Sequence, residues 1–248
     1  MKKIFIALIL GLILLTYNNV KSIDIGKYYE SKNVELRYQN KKVYIMNIYD
    51  DSDITKDDLK YLQHPEIKDN LEILGINKKE ITDEDVKYIV VLKKLTNLGI
   101  MNCELTDRGM EYIGELENLE ELNIRNTKVT DEGLKYLKGL KKLRTLIVSN
   151  TMITGEGFKY LQDLKIEELA AANTMITDES LQYLQNMQLQ LLTIPGTRVS
   201  DKGIQYLEKM KSLEKLLIWD TKISAKGVKT LTRKLPHTMI VDKKVHSL

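Results

Sequence analysis

The sequence predicts an α/β solenoid, and two observations predict it. The first is repetition: NTKVTDEGLKYLKGLKKLRTL, residues 126–146, stands between near copies of itself, NCELTDRGMEYIGELENLEEL before it and NTMITGEGFKYLQDLKIEEL after it. Aligned on the apolar residue that precedes each Thr or Ser, the units start at Ile81, Leu105, Val129, Ile153, Ile176, Val199 and Ile223. The spacings are 24, 24, 24, 23, 23 and 24, with an earlier member at Ile54. A fixed period in this range marks units that bury their apolar faces only against their neighbours. The second observation is a change of period inside each unit. Leu134, Leu137, Leu140, Leu143 and Leu146 are three apart, a helical spacing, whereas Leu146 and Val148 are two apart, a strand spacing. Each unit therefore reads as short helix, turn, short strand and return loop.

Taken in chain order, residues 1–22 read as a signal peptide. Lys2 and Lys3 precede an apolar run from Ile4 to Leu15, a polar stretch follows, and small Val20 and Ser22 suit the −3 and −1 positions. The run is short for a bilayer span, which needs ~20 residues; a retained anchor is the alternative. Without this segment the chain loses Lys2, Lys3 and Lys21 and no acidic residue, so its formal charge falls from +3 to 0. A neutral chain has no global field for nucleic acid or anionic membrane, so neither is expected as a partner. Cys103 is the single cysteine, which excludes an intramolecular disulfide.

Residues 23–53 are expected to cap the solenoid, with strand-like VELRYQNKKVYIMNIYDDSDIT turning at Gln39–Asn40. Residues 54–222 carry the repeats. Within them, Thr130 and Asp131 are helix N-cap types, as are Thr82–Asp83, Thr106–Asp107, Thr177–Asp178 and Ser200–Asp201. Gly133 recurs as Gly109, Gly157, Gly203 and Gly227; glycine forms helices poorly, so close approach of neighbouring backbones is the expected reason. Residues 223–248 are expected to form the last repeat and its cap. There LTRKLPHTMIVDKKV breaks the register at Pro236 and closes with a short strand, Met239 to Val241.

LEELNIRNTKVTDEGLKYL resembles leucine-rich repeats, and the I-T-D and G-L that follow resemble the cysteine-containing subclass of F-box-associated proteins and bacterial relatives. The resemblance spans roughly residues 43 to 241. It implies a curved solenoid with parallel strands on the concave face and short helices on the convex face. Where that subclass places Cys, and other leucine-rich repeats Asn, this chain has Cys103, Thr127, Thr151, Thr174, Thr197 and Thr221. A column of hydroxyls there is expected to satisfy buried backbone groups as an Asn ladder would, with Cys103 a small buried member rather than a nucleophile.

No catalytic constellation is expected. His64, His237 and His246 fall towards the two ends, and TGEGF lacks the spacing and Lys of a phosphate loop. The acidic residues fall in repeating surface positions, and no cofactor or metal set stands out. Tyr61, Tyr88, Tyr112, Tyr136, Tyr160, Tyr183 and Tyr206 form a column at the edge of the helical face. They are expected to stack for inter-repeat packing, with an aromatic track for glycans or proteins as the alternative.

Recognition is expected in positions the repeat does not dictate. Outward strand residues run Gly75, Gly99, Asn123, Ile147, Ala170, Thr193, Leu217 and, two residues on, Asn77, Met101, Arg125, Ser149, Ala172, Pro195, Trp219. They turn apolar from Ile147 onward. Ile147, Ala170, Ala172, Thr193, Pro195, Leu217 and Trp219 are therefore the candidate protein-binding patch, rimmed by Lys215, Asp220 and Glu168. In the alternative, Trp219 folds over the C-terminal cap. The expected function is an exported, monomeric binding scaffold, extracytoplasmic once the signal is cleaved. Resemblance to internalin-like proteins implies a cell-surface or host-interface role. Alternatives are an F-box-like adaptor of a ubiquitin ligase or injected effector, and a structural or glycan-binding envelope protein.

Overall fold

The computed structural model describes residues 24–78 and 80–243; the expected signal segment, 1–22, lies outside them. Ten strands follow one another across a single sheet in chain order. They are β1 (Glu35–Gln39), β2 (Lys42–Ile48), β3 (Ile73–Asn77), β4 (Asn97–Met101), β5 (Glu121–Asn123), β6 (Thr145–Ile147), β7 (Glu168–Ala170), β8 (Leu191–Thr193), β9 (Lys215–Leu217) and β10 (Met239–Val241). All neighbours are parallel except β1 and β2, which form a hairpin. The hairpin turns at Asn40 and Lys41, with φ of 51° and 64°, one residue later than expected.

The helical half of each unit mixes α-helix, as at Asp107–Ile113 and Ala225–Lys234, with 3₁₀ turns at Lys56–Gln63, Lys135–Gly139, Glu156–Tyr160, Glu179–Tyr183 and Asp201–Gly203. A single turn or two is all that 23 or 24 residues leave once the strand and both loops are drawn, and 3₁₀ geometry serves such short pieces. The core lies between these turns and the sheet. Val129, Leu134, Leu137, Leu140, Leu143, Leu146 and Val148 are all fully buried, so the two apolar periods do mark one inward face.

A helix not anticipated from the sequence, α1 (Ile25–Glu30), sits ahead of the hairpin, with Asp24 accepting from the Lys27 N–H at 3.1 Å. Its Tyr29 is fully buried and donates its hydroxyl to the Asp58 carbonyl at 3.1 Å, while Tyr28 donates to the Asp58 carboxylate. Asp58 also accepts from the Thr55 N–H at 2.7 Å. Buried Lys78 closes the same end, its Nζ donating to the carbonyls of Asp50 and Ser52.

Two bonding columns tie the unit ends. The hydroxyl column is as expected in chemistry but local in reach: Thr127, Thr151, Thr174, Thr197 and Thr221 each donate to a carbonyl three residues earlier, at 2.6 to 2.8 Å. The bonding between units belongs to the preceding residue instead. Asn102, Asn126, Asn150 and Asn173 hold φ between 54° and 56°, a left-handed conformation asparagine tolerates. The Asn102 amide donates to Asn77 at 2.7 Å, Asn126 to Asn102 at 2.7 Å and Asn173 to Asn150 at 3.0 Å.

On the helix side the Thr–Asp pairs divide their work. Thr130 caps its own helix, accepting from the Glu132 N–H at 3.3 Å. Its Asp partner reaches forward to the next unit. Asp83 accepts from the Thr106 N–H and hydroxyl, Asp107 from those of Thr130, Asp178 from those of Ser200 and Asp201 from those of Ser224. This also extends the reason for the recurring glycine. A Cβ on Gly109 would stand 2.5 Å from Asp83 Oδ1, on Gly133 2.5 Å from Asp107 Oδ1, and on Gly203 2.7 Å from Asp178 Oδ1. At Gly157 the neighbour's backbone is closest, with the Asp131 carbonyl oxygen 2.6 Å from a Cβ, so carboxylate and backbone both claim the space.

The tyrosine column does not stack on itself. Among the described residues, ring pairs occur at Tyr28–Tyr29 and Tyr28–Tyr61. Within the column, lysine ammonium groups stand over the rings of Tyr61, Tyr88, Tyr136, Tyr160 and Tyr206 at 5.0 to 5.8 Å. Half-buried rings lean on the core and are covered by neighbouring charge, which is snorkelling geometry.

Candidate functional site

Strand alternation decides which side chains face away from the core. Leu146, Leu169, Leu192 and Leu216 are buried to 1% or less, so the residues beside them point to the open face of the sheet. The register pairs Ile147 with Ala170, Ala170 with Thr193, Thr193 with Leu217 and Leu217 with Val241, forming one continuous row across β6 to β10. Ala172 and Trp219 lie two residues on, in the turns just past β7 and β9. Ile147, Ala170, Ala172, Thr193, Leu217 and Trp219 are all half-buried, and Ile147, Leu217 and Trp219 are not among the residues packed on the core.

Pro195 departs from the expected patch. It is buried, flanked by the chains of Ala172 and Trp219: the Asn173 N–H donates to its carbonyl at 2.8 Å, and the next residue, Gly196, donates to the Trp219 carbonyl at 3.2 Å. The chain turns there, at Gly196 with φ 66°, so the ring supports the surface rather than forming it.

Sequence reasoning took Glu168 and Lys215 as rim and missed the row to which they belong. Thr145, Glu168, Leu191, Lys215 and Met239 align one position earlier on the open face, and Met239 is 63% exposed. Counting two residues back from each member of the first row would have found them. The combined surface has apolar Ile147, Leu191, Leu217, Trp219 and Met239 around small Ala170 and Thr193. Glu167, Glu168 and Glu214 border it where the strands begin; Glu167 pairs with Arg144 at 3.7 Å. The same face is polar in the preceding strands, where the Asn97 amide donates to Glu121 at 2.8 Å beside Gly75, Gly99 and Asn123.

Burial pushes the Cys103 thiol up to about 11, which keeps it protonated at neutral pH. His64 accepts from the Glu66 N–H at 3.3 Å through Nδ1 and caps the turn Pro65–Lys68. Among the described residues no group of His, Cys, Asp and Glu is placed to hold a metal. A polar cleft of about 390 Å³ opens beside the amide column, lined by Asn77, Asn102, Asn126, Glu104 and Lys128, with the last two ion-paired across it. Among the described residues no helix is long and apolar enough to cross a membrane.

Comparison with known proteins agrees with this geometry. A family model described as Leucine Rich repeat matches residues 115–138. An internalin (inlF) from Listeria monocytogenes has a similar structure, with a TM-score of 0.53 and 18% identity over 76% of this chain and 58% of that one. A leucine-rich-repeat protein from Leptospira interrogans gives 0.53 and 21% over 73% and 44%, and internalin C2 from Listeria monocytogenes gives 0.53 and 21% over 77% and 84%. The chain thus spans 58% and 44% of the first two, and at these identities the likeness is one of fold. No curated protein sequence matches the chain.

Proposed function

We propose that this chain, a leucine-rich-repeat protein of the kind found in bacteria, is an exported scaffold that docks a protein partner on the open face of its sheet. One observation carries the reading. Ile147, Leu191, Leu217, Trp219 and Met239 gather on one side of a sheet whose other side already holds the core. Apolar side chains collected outside the core are a surface held ready for another molecule, and Trp is over-represented where such contacts carry binding energy. The signal-like start of the sequence supports export, and the internalin-type fold supports a scaffold rather than an enzyme. The chain is read as a monomer that needs neither metal nor cofactor.

Photo-crosslinking tests the docking face in the organism that makes the protein. A crosslinker at position 217 is expected to give a discrete protein adduct that is lost when Trp219→Ala is added, while a crosslinker at Asn123, on the polar half of the same face, gives none. Equal adducts from both positions, or adducts with polysaccharide instead of protein, would overturn the reading.

A further inference from the structure

We propose that the solenoid flexes at one joint, between β7 and β8. Two side-chain bridges hold successive units together: the Asp-to-Thr/Ser bridge on the helix side and the amide chain at the strand ends. Each joint from Ile81 to Ile223 keeps at least one of them, with this single exception among the described residues. The joint between the units of Ile81 and Leu105 has both, as does the one between Val129 and Ile153. The joint from Leu105 to Val129 has the Asp107 bridge, and the joints after Ile176 have Asp178 and Asp201.

Between the units of Ile153 and Ile176 both lapse. Gly155 stands where the other units place Asp, so Thr177 has no carboxylate to meet. Ser180 occupies the vacated space, 2.5 Å from where a Gly155 Cβ would be, and accepts from the Thr177 N–H of its own unit at 3.2 Å. On the far side Gly196 stands where an asparagine would receive the chain from Asn173. What crosses the joint is sheet backbone, core, and two contacts exposed to water, Tyr183 hydroxyl to Glu156 at 3.0 Å and Gln162 amide to the Tyr183 carbonyl at 3.3 Å. Water competes for both. In a stack of units coupled only to neighbours, motion concentrates at the weakest interface.

The position matters because the apolar row runs across it. Ile147 and Ala170 lie on one side, Thr193 and Leu217 on the other, so bending here sets the curvature a partner meets. The hinge rests on the bonding pattern alone; the docking reading gives it a use.

Hydrogen exchange of the whole chain tests it. Amides from Thr177 to Leu181 are expected to exchange faster than the equivalent amides from Thr130 to Leu134. Gly196→Asn adopts a φ near those of the existing asparagines and rebuilds the amide chain once the Asn173 side chain turns aside. It should slow exchange at the joint roughly fivefold, the effect of about one added hydrogen bond. Ser180→Gly removes the local substitute and should speed it by a similar factor, at this joint only. Equal protection at the two segments overturns the hinge and leaves the docking face standing. Should Gly196→Asn loosen the whole chain instead, Ser180→Gly decides: a change confined to residues 177–181 supports the hinge, and a uniform change or none overturns it.

Discussion

Two joints on either side of one unit could hardly differ more. At the joint before the Ile153 unit, Asp131 accepts from the Thr154 hydroxyl at 2.6 Å and from the N–H groups of Thr154, Gly155 and Gly157 at 3.0, 3.1 and 2.8 Å. At the joint after it, no Asp reaches the next unit's Thr, because Gly155 offers none; the carboxylate that does cross, Glu156, meets only the exposed Tyr183 hydroxyl. The comparison teaches what the recurring glycine is for. Wherever a unit places Asp two residues after its apolar start, the next unit has Gly four residues after its own: Asp83 with Gly109, Asp107 with Gly133, Asp131 with Gly157, Asp178 with Gly203, Asp201 with Gly227. Where that Asp is missing, the next unit carries a side chain that caps its own turn. Lys56 is followed by Asp85, which accepts from the Thr82 N–H at 2.9 Å, and Gly155 is followed by Ser180. Coupling to a neighbour and self-capping are alternatives for the same space.

The largest effect should come from the joint with most bonds. Asp131→Ala leaves the three N–H groups and the Thr154 hydroxyl without their acceptor and should cost about 3 kcal/mol in urea unfolding. It should also give exchange at residues 154–158 the character expected of residues 177–181. A loss under about 1 kcal/mol would mean the bridges matter little. The next test pushes from the glycine side. Gly133→Ala places a methyl 2.5 Å from Asp107 Oδ1 and 2.8 Å from Val129 Cγ1 and should cost about 2 kcal/mol. Because the carboxylate shares the blame, the penalty should shrink by about 1 kcal/mol in an Asp107→Ala background. Additive costs would break the coupling rule.

The smallest effect is acid sensitivity, at the cap and the last joint. Ser224 donates its hydroxyl and N–H to Asp201 and holds that carboxyl below its ordinary 3.8. For Asp58 burial acts upward, but hydrogen bonds from Tyr28 and Thr55 and the charge of Lys32 leave it lowered too. A depressed folded value means the stabilisation is present above the unfolded pKa and is lost as pH falls through the folded one. The cap and the last joint should therefore loosen only below about pH 3.8, read as tyrosine near-ultraviolet dichroism for the cap and Trp219 fluorescence for the last joint. Loosening near pH 5 would contradict the assignment.

Much of this architecture is legible in the sequence because it repeats. A residue type at a fixed period reports a fixed environment, which is why the buried leucines and the strands could be read without coordinates. What repetition hides is the partner. Thr130–Asp131 reads as a cap pair within one unit, and nothing in the phrase says that Asp131 spends itself on Thr154, 23 residues on. The same blindness hid the inter-unit ladder of Asn102, Asn126, Asn150 and Asn173 beside the Thr column, whose hydroxyls satisfy backbone carbonyls as expected. On the open face, Ile147 and Leu217 were legible from alternation. Pro195 was misjudged because exposure depends on the neighbouring strands, and Leu191 and Met239 were overlooked beside the more conspicuous Trp219.

The Asp and Gly pairing also restricts how such a chain can grow. A duplicate of residues 129–152 could be inserted after the original indefinitely, since Asp131 of one copy would meet Gly133 of the next. A duplicate of residues 153–175 could not be joined to itself on the same terms. Its Gly155 would face Gly157, leaving neither an Asp to cross the seam nor a serine hydroxyl to fill the space. The unit beside the bend is thereby the one least suited to being copied.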